Sequence, residues 1–247
     1  MKLAALAGLS RSLLMYYAIP GRASAWRRFY GQFIAPGDLC FDIGAHAGNR
    51  TRAMLVLGSN VLAVEPQPLF ARTLMRLYGS QKNFKLLETA VASYREQQEM
   101  MISTETPTVS SISREWAQQM AETPGFAQVH WDARLPVNTT TLDTLIADHG
   151  LPAFCKIDVE GAEPDVLNGL SQPIRAISFE YIPAAMDLAM QGLKRLTELG
   201  DYVFNLVSGE YPRFALKDWT DAKEIREKLA VMPKSGCAGE IFSRMSH

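Results

Sequence analysis

Apolar residues along this chain fall into short, nearly continuous runs, separated by stretches in which they recur every three or four positions. The runs LCFDIG (39–44), VLAVE (61–65), FKLLETAV (84–91), AFCKIDV (153–159), AISFEY (176–181), YVFNLV (202–207) and EIFSRM (240–245) predict buried strands. Helices are predicted between them, up to about Leu57, from Pro68 to Tyr78, and over GAEPDVLNGL and AAMDLAMQGLKRLTEL. Alternation of this kind predicts an α/β, doubly wound, mostly parallel sheet with helices on both faces. Residues 3–34 predict one or two helices broken near Pro20-Gly21, giving a helical arm over 1–36 and a main domain over 37–247.

From about Gln97 to Thr141 the rhythm breaks. TETPTVSSIS, a predicted helix at REWAQQMAE and the polar run PVNTTTLDTL form an insertion (97–141) of the sort that shapes a binding site at strand ends, here assigned to the acceptor side. A plain surface excursion is the alternative for most of its residues.

With 247 residues, 47% of them hydrophobic and 21% charged, the composition is that of an ordinary globular domain. A net charge of -1 leaves no basic footprint for nucleic acid. Charge is uneven, however: no acid precedes Asp38, while Lys2, Arg11, Arg22, Arg27 and Arg28 are basic. That arm is suited either to an anionic membrane surface or to packing on the domain with its arginines in water. Arg11 interrupts the opening apolar run and no run reaches membrane-spanning length, so a cytoplasmic location is expected. Cys40, Cys155 and Cys237 have neither disulfide-framework nor zinc-site spacing, and the first two lie in predicted core strands as small hydrophobes.

Candidate chemistry begins at FDIGAHAGNRT (41–51). Its pattern, Asp42-x-Gly44-x-x-x-Gly48, is neither G-x-G-x-x-G nor a P-loop, and no lysine follows the second glycine. A carboxylate at this strand end suits a cationic ligand better than a pyrophosphate. S-adenosylmethionine (SAM), with an ammonium and a sulfonium, is such a ligand. Glu65, 21 positions after Gly44, stands at the next strand tip, where doubly wound folds place the acid that binds ribose hydroxyls. The competing reading of the two glycines is a tight strand-to-helix turn.

KIDVEGAEPDVLNGL (156–170) carries four acids within eight residues. Asp158 and Glu160 are expected to face the same crevice as Asp42, joined by Glu180 at the end of AISFEY. Such carboxylates can orient a hydroxyl, take its proton, or hold Mg²⁺. The four scattered histidines offer no metal shell, and no resident metal is expected. Glu163 and Asp165 suit the first turn of a helix, Lys156 suits an ion pair with a neighbouring acid, and His130 suits a partly exposed structural role.

FDIGAHAGNRT, VLAVEPQP, TTTLDTL and KIDVEGAEPDVLNGL, in this order, resemble the FkbM-type SAM-dependent methyltransferases, a branch of the class I, Rossmann-like methyltransferase fold, over roughly residues 37–245. The resemblance implies a seven-stranded sheet whose last strand, EIFSRM, is antiparallel. It implies methyl transfer to a hydroxyl on a sugar, glycolipid or polyketide-like small molecule. Carried over by position, Asp42, Gly44 and Gly48 would line the methionine part of SAM, Glu65 its ribose, and Ala90 and Val91 its adenine, with Asp158 near the methionine end. His46 stands where the family usually has Asn, which implies tuned rather than abolished cofactor binding, and ETAVAS lacks the usual acid. The expected catalytic carboxylates are Asp158, Glu160 and Glu180. Two competing readings are a nicotinamide-dependent oxidoreductase, disfavoured by the missing G-x-G-x-x-G, and a non-catalytic scaffold, disfavoured by the presence of Asp42 and Glu65.

Overall fold

The computed structural model describes Gly8, Ile19 and residues 21–209 and 211–246. Most of the arm predicted over 3–34 before Pro20-Gly21 lies outside the described residues. Its second half is helix α1 (Arg22–Tyr30), whose Trp26, Phe29 and Tyr30 are buried against Phe154, Phe214 and Phe242 of the domain. Arg27 and Arg28 stay exposed on its outer face.

The chain then runs through β1 (Leu39–Ile43), α2 (Asn49–Val56), β2 (Asn60–Val64), α3 (Pro68–Tyr78), β3 (Phe84–Leu87), β4 (Ala90–Val91) and β5 (Gln97–Ile102). Next come α4 (Arg114–Ala121), β6 (Ala133–Thr140), α5 (Leu142–His149), β7 (Phe154–Ile157), α6 (Glu163–Asn168), β8 (Ala176–Tyr181), α7 (Met186–Leu199), β9 (Tyr202–Ser208), α8 (Ala222–Ala230) and β10 (Gly239–Met245). Seven strands form one sheet in the order β3-β2-β1-β7-β8-β10-β9, parallel except for β10, which is antiparallel to both neighbours. The expected α/β class, strand number and antiparallel last strand are all present. The order reverses between β1 and β7, so ligands are expected beyond the carboxyl ends of those two strands.

Two predicted segments came out differently. FKLLETAV is not one strand: β3 ends at Leu87, and after Glu88-Thr89 the chain leaves the main sheet to pair Ala90 and Val91 with Thr139 and Thr140 of β6. Thr89 Oγ1 anchors the departure by donating to the Asn138 carbonyl (2.7 Å). Ala90 and Val91 therefore lie beyond the third strand rather than at its tip. PVNTT, read as irregular, is the end of β6, which joins β4 and β5 in a separate three-stranded sheet. Only Val137 and Thr139 of that half-strand are fully buried, so its apolar signal is weak and its threonines read as loop. The helix predicted at REWAQQMAE is α4, capped by Ser113, whose side chain accepts from the Trp116 amide.

Period-two alternation divides the main sheet between two cores. Phe41 and Ile43 face one, with Leu62, Ile157 and Phe179; Cys40 faces the other, with Phe154, Phe242 and the aromatic face of α1. The second face also carries a buried polar row. Asp42 pairs in register with Lys156, and Lys156 with Ser178. Two residues further along the same face stand Asp158 and Glu180, and Glu180 is paired with Glu240 of β10.

Candidate active site

Gly44 and Gly48 follow β1 in the left-handed region (φ 76° and 79°). A β-carbon at Gly44 would lie 1.9 Å from the Asp158 carbonyl oxygen, and one at Gly48 would lie 2.5 Å from Leu74. These positions therefore admit only glycine. Between them His46 also takes positive φ (46°), a cost that its surroundings offset. Its amide donates to Glu65 Oε2 (2.8 Å), its ring packs on Phe70 at 3.8 Å, and burial lowers its pKa to about 3, which keeps it neutral.

Glu65 is the tie between the first two strand tips. Its Oε1 accepts from the Gln67 amide (2.9 Å) while Oε2 holds His46. Burial pushes its pKa up to about 7 against the pull of both amides. Together Gly44, His46, Glu65, Ala90 and Val91 line a narrow cleft. Its far wall comes from the insertion, through Met100, Thr108, Ser110 and Ile112.

Asp42 and Gly48 are not part of that lining. Asp42 is fully buried behind the loop, where Thr51 Oγ1 donates to its Oδ2 (2.5 Å) and Oδ1 has no hydrogen-bond partner among the described residues. Burial raises its pKa, with Lys156 and the Thr51 bond opposing. Its charge acts on the site from behind, through the loop it supports.

The second acidic motif meets the first at Asp158. Lys156, wholly buried, donates from Nζ to Asp158 Oδ2 at 2.6 Å. Burial works against both charges, but the pairing wins, so Lys156 is raised and Asp158 is held below the usual carboxylate range. Glu163 caps the loop below, accepting from the amides of Val159 (3.0 Å) and Gly161 (3.0 Å). Asp165 accepts from Ser93 Oγ. Glu160 has positive φ (56°), and Ser111 of the insertion donates to its carbonyl (2.6 Å).

Asp158 also lines a second, larger cavity of about 370 Å³, whose other walls include Arg50, Glu180, Gly209, Cys237 and Glu240. None of the described insertion residues lines it. Burial, followed by the charges of their acidic neighbours, raises both Glu160 and Glu180 well above the ordinary range. Asp158, Glu160 and Glu180 thus converge as expected, with carboxylate oxygens within 4.8 Å of one another. His130 stands apart on an exposed segment. Cys40 and Cys155 are core residues, the Cys40 thiol pushed up to about 12 by burial.

Sequence reasoning missed two residues of the second cavity. The Arg50 guanidinium lies 3.2 Å over the Trp26 ring and 3.8 Å from Glu240, which also accepts from Ser178 Oγ (2.7 Å). Signals for both were present. Arg50 is a cation in the first turn of a helix, against the macrodipole, and Glu240 is a carboxylate inside a strand, directly before the apolar pair Ile241 and Phe242.

A family model described as "Methyltransferase FkbM domain" matches residues 42–232. The chain belongs to the FkbM methyltransferase family. Membership makes it a methyltransferase that uses SAM, and sets aside the nicotinamide reading. The cleft fits that cofactor: a glycine cradle, a strand-tip carboxylate and small residues at β4, with buried Asp42 behind them. Nothing matches among curated proteins. Among solved structures, precorrin-6y C5,15-methyltransferase from Geobacter metallireducens is 11% identical, with 91% of this chain and 87% of that chain covered and a TM-score of 0.47. A SAM-dependent O-methyltransferase from Thermotoga maritima is 11% identical, with 94% and 69% covered and a TM-score of 0.46. Likeness at this level carries no argument about reaction or acceptor. Among the described residues of this FkbM-family chain, no helix is long and apolar enough to cross a membrane.

Proposed function

We propose that this methyltransferase acts on a hydroxyl of a sugar, glycolipid or polyketide-like small molecule. The observation that carries the reading is the position of Asp158, a wall common to the cofactor cleft and to the second cavity. Gly44, His46 and Glu65 would hold SAM, which supplies a methyl carbon already activated by its sulfonium. The acceptor would then enter on the Arg50, Glu180 and Glu240 side, while the insertion covers the cofactor rather than the acceptor.

Polar and acidic walls suit an acceptor with several hydroxyls. The pKa order divides the roles. Asp158, held ionised by Lys156, is a poor proton acceptor and would orient the hydroxyl by accepting its hydrogen bond. Glu180 and Glu160, whose affinity for protons is raised, would take the proton as the C–O bond forms. Alignment in a dry cleft supplies the larger part of the rate and proton removal a smaller one.

Incubation with methyl-labelled SAM and a panel of hydroxylated sugars, lipid-linked glycans and polyketide alcohols, beside amine-only analogues, tests this. Label on oxygen in at least one hydroxyl acceptor is expected. Label confined to nitrogen or carbon acceptors refutes it.

A further inference from the structure

We propose that Asp158, Glu160 and Glu180 bind a divalent cation where the cofactor cleft, lined by Asp158 and Glu160, meets the second cavity, lined by Asp158 and Glu180, and that the ion would hold a hydroxyl group of the acceptor. Three features converge. The carboxylate oxygens already lie within 4.8 Å of one another. Two oxygens on one ion can be no further apart than twice the metal–oxygen distance, roughly 4.2 Å for Mg²⁺ and about 5 Å for Ca²⁺. Oxygens that lie within 4.8 Å of one another therefore fall inside the span of a single divalent ion of Ca²⁺ size.

The second feature is independent of that spacing. Glu180 Oε2 is buried and has no hydrogen-bond partner among the described residues. An acceptor in that condition destabilises the fold unless a ligand satisfies it. The third is register. Glu180 faces Glu240 directly across the antiparallel β8–β10 pair, a like-charge pairing that destabilises a sheet. Glu240 is relieved by Arg50 and Ser178, and Glu180 by neither. The nearby ammonium, Lys156, is committed to Asp158 at 2.6 Å. Glu180, with its unpartnered oxygen, also lines the adjoining cavity of about 370 Å³, which has room for the waters or acceptor oxygens that complete the shell.

The site itself stands on geometry. Its use in holding an acceptor hydroxyl rests on the reading of the second cavity given above. The test is titration of the full chain, without SAM, by Mn²⁺ followed by electron paramagnetic resonance, with Ca²⁺ and Mg²⁺ as competitors. One saturable Mn²⁺ site is expected, competed by Ca²⁺ or Mg²⁺ and weakened at least tenfold in Glu180→Gln and in Glu160→Gln. Each variant is checked for wild-type circular dichroism, and Glu99→Gln, an exposed acid elsewhere, serves as control. No saturable binding to the wild type overturns the proposal, as does unchanged affinity in a folded cluster variant. S-adenosylhomocysteine (SAH) is titrated into the same samples. SAH binding without Mn²⁺ binding removes only the cation site, whereas loss of SAH binding tells against the cofactor cleft instead.

Discussion

Gly44 and Asp158 touch through their backbones. A β-carbon on Gly44 would stand 1.9 Å from the Asp158 carbonyl oxygen, so the two motifs, over a hundred residues apart in the chain, close on one another without side chains between them. Gly44→Ala adds that clash to a positive φ. It is expected to cost about 3 kcal/mol or more and to abolish SAH binding, read by denaturant unfolding and calorimetry.

Lys156→Met removes the cation that compensates buried Asp42 and the partly exposed Asp158. Breaking a fully buried pair from one side costs about 3–5 kcal/mol, but over a third of the Asp158 side chain is exposed, so solvent screens the charge left behind and a loss of about 1–3 kcal/mol is expected. The unfolding midpoint is expected to fall by roughly 2–12 °C. A loss within error of zero would mean that Asp158 simply takes up a proton at no cost.

Glu65→Gln replaces an acceptor of two backbone amides by a group with one acceptor and one donor. One amide, of His46 or Gln67, then faces an NH₂ group. SAH affinity is expected to fall tenfold or more, with a stability loss of about 1–3 kcal/mol. Retained affinity would show that the loop holds its shape without this tie.

In chelator and without cofactor, stability should fall as pH rises from 6.5 to 8. Burial lifts Glu65 and Glu163 to about 7 and Glu160 and Glu180 well above their ordinary range, so the folded chain keeps protons that the unfolded chain has released. Each such proton tilts the unfolding free energy by about 1.4 kcal/mol per pH unit, downward as pH rises through the folded value. His46, lowered to about 3, opposes this only below 6.5, and Asp158 only in acid. Unfolding curves across this range check the sign, and Glu163→Gln should flatten the slope.

Arg50→Ala should leave SAH affinity within about twofold, since Arg50 lines the second cavity and not the cofactor cleft. It removes the guanidinium stacked on Trp26 and the cation beside Glu240, for an expected stability loss of about 1–3 kcal/mol. A collapse of SAH binding in a folded variant would place Arg50 in the cofactor site.

The sequence by itself determined the layered α/β class, the seven strands and the two loops at the switch in strand order. Buried strands and amphipathic helices differ in period, and glycine at positive φ leaves a local signature in the chain. It also named the three carboxylates that converge, because Asp158 and Glu180 stand beyond apolar runs that must end at the same sheet edge. Tertiary structure decided the rest. Whether Asp42 looks into the cleft or supports it from behind depends on what packs over β1, and there Thr51 and Lys156 claim it. The placing of Ala90 and Val91 in a second sheet depends on β6, a partner over forty residues away with too little apolar content to announce itself. Arg50 and Glu240 become neighbours only when β10 inserts antiparallel beside β8. Pairing between distant strands is set by register and packing, which local patterns do not encode, and at this site that pairing assembles the second cavity.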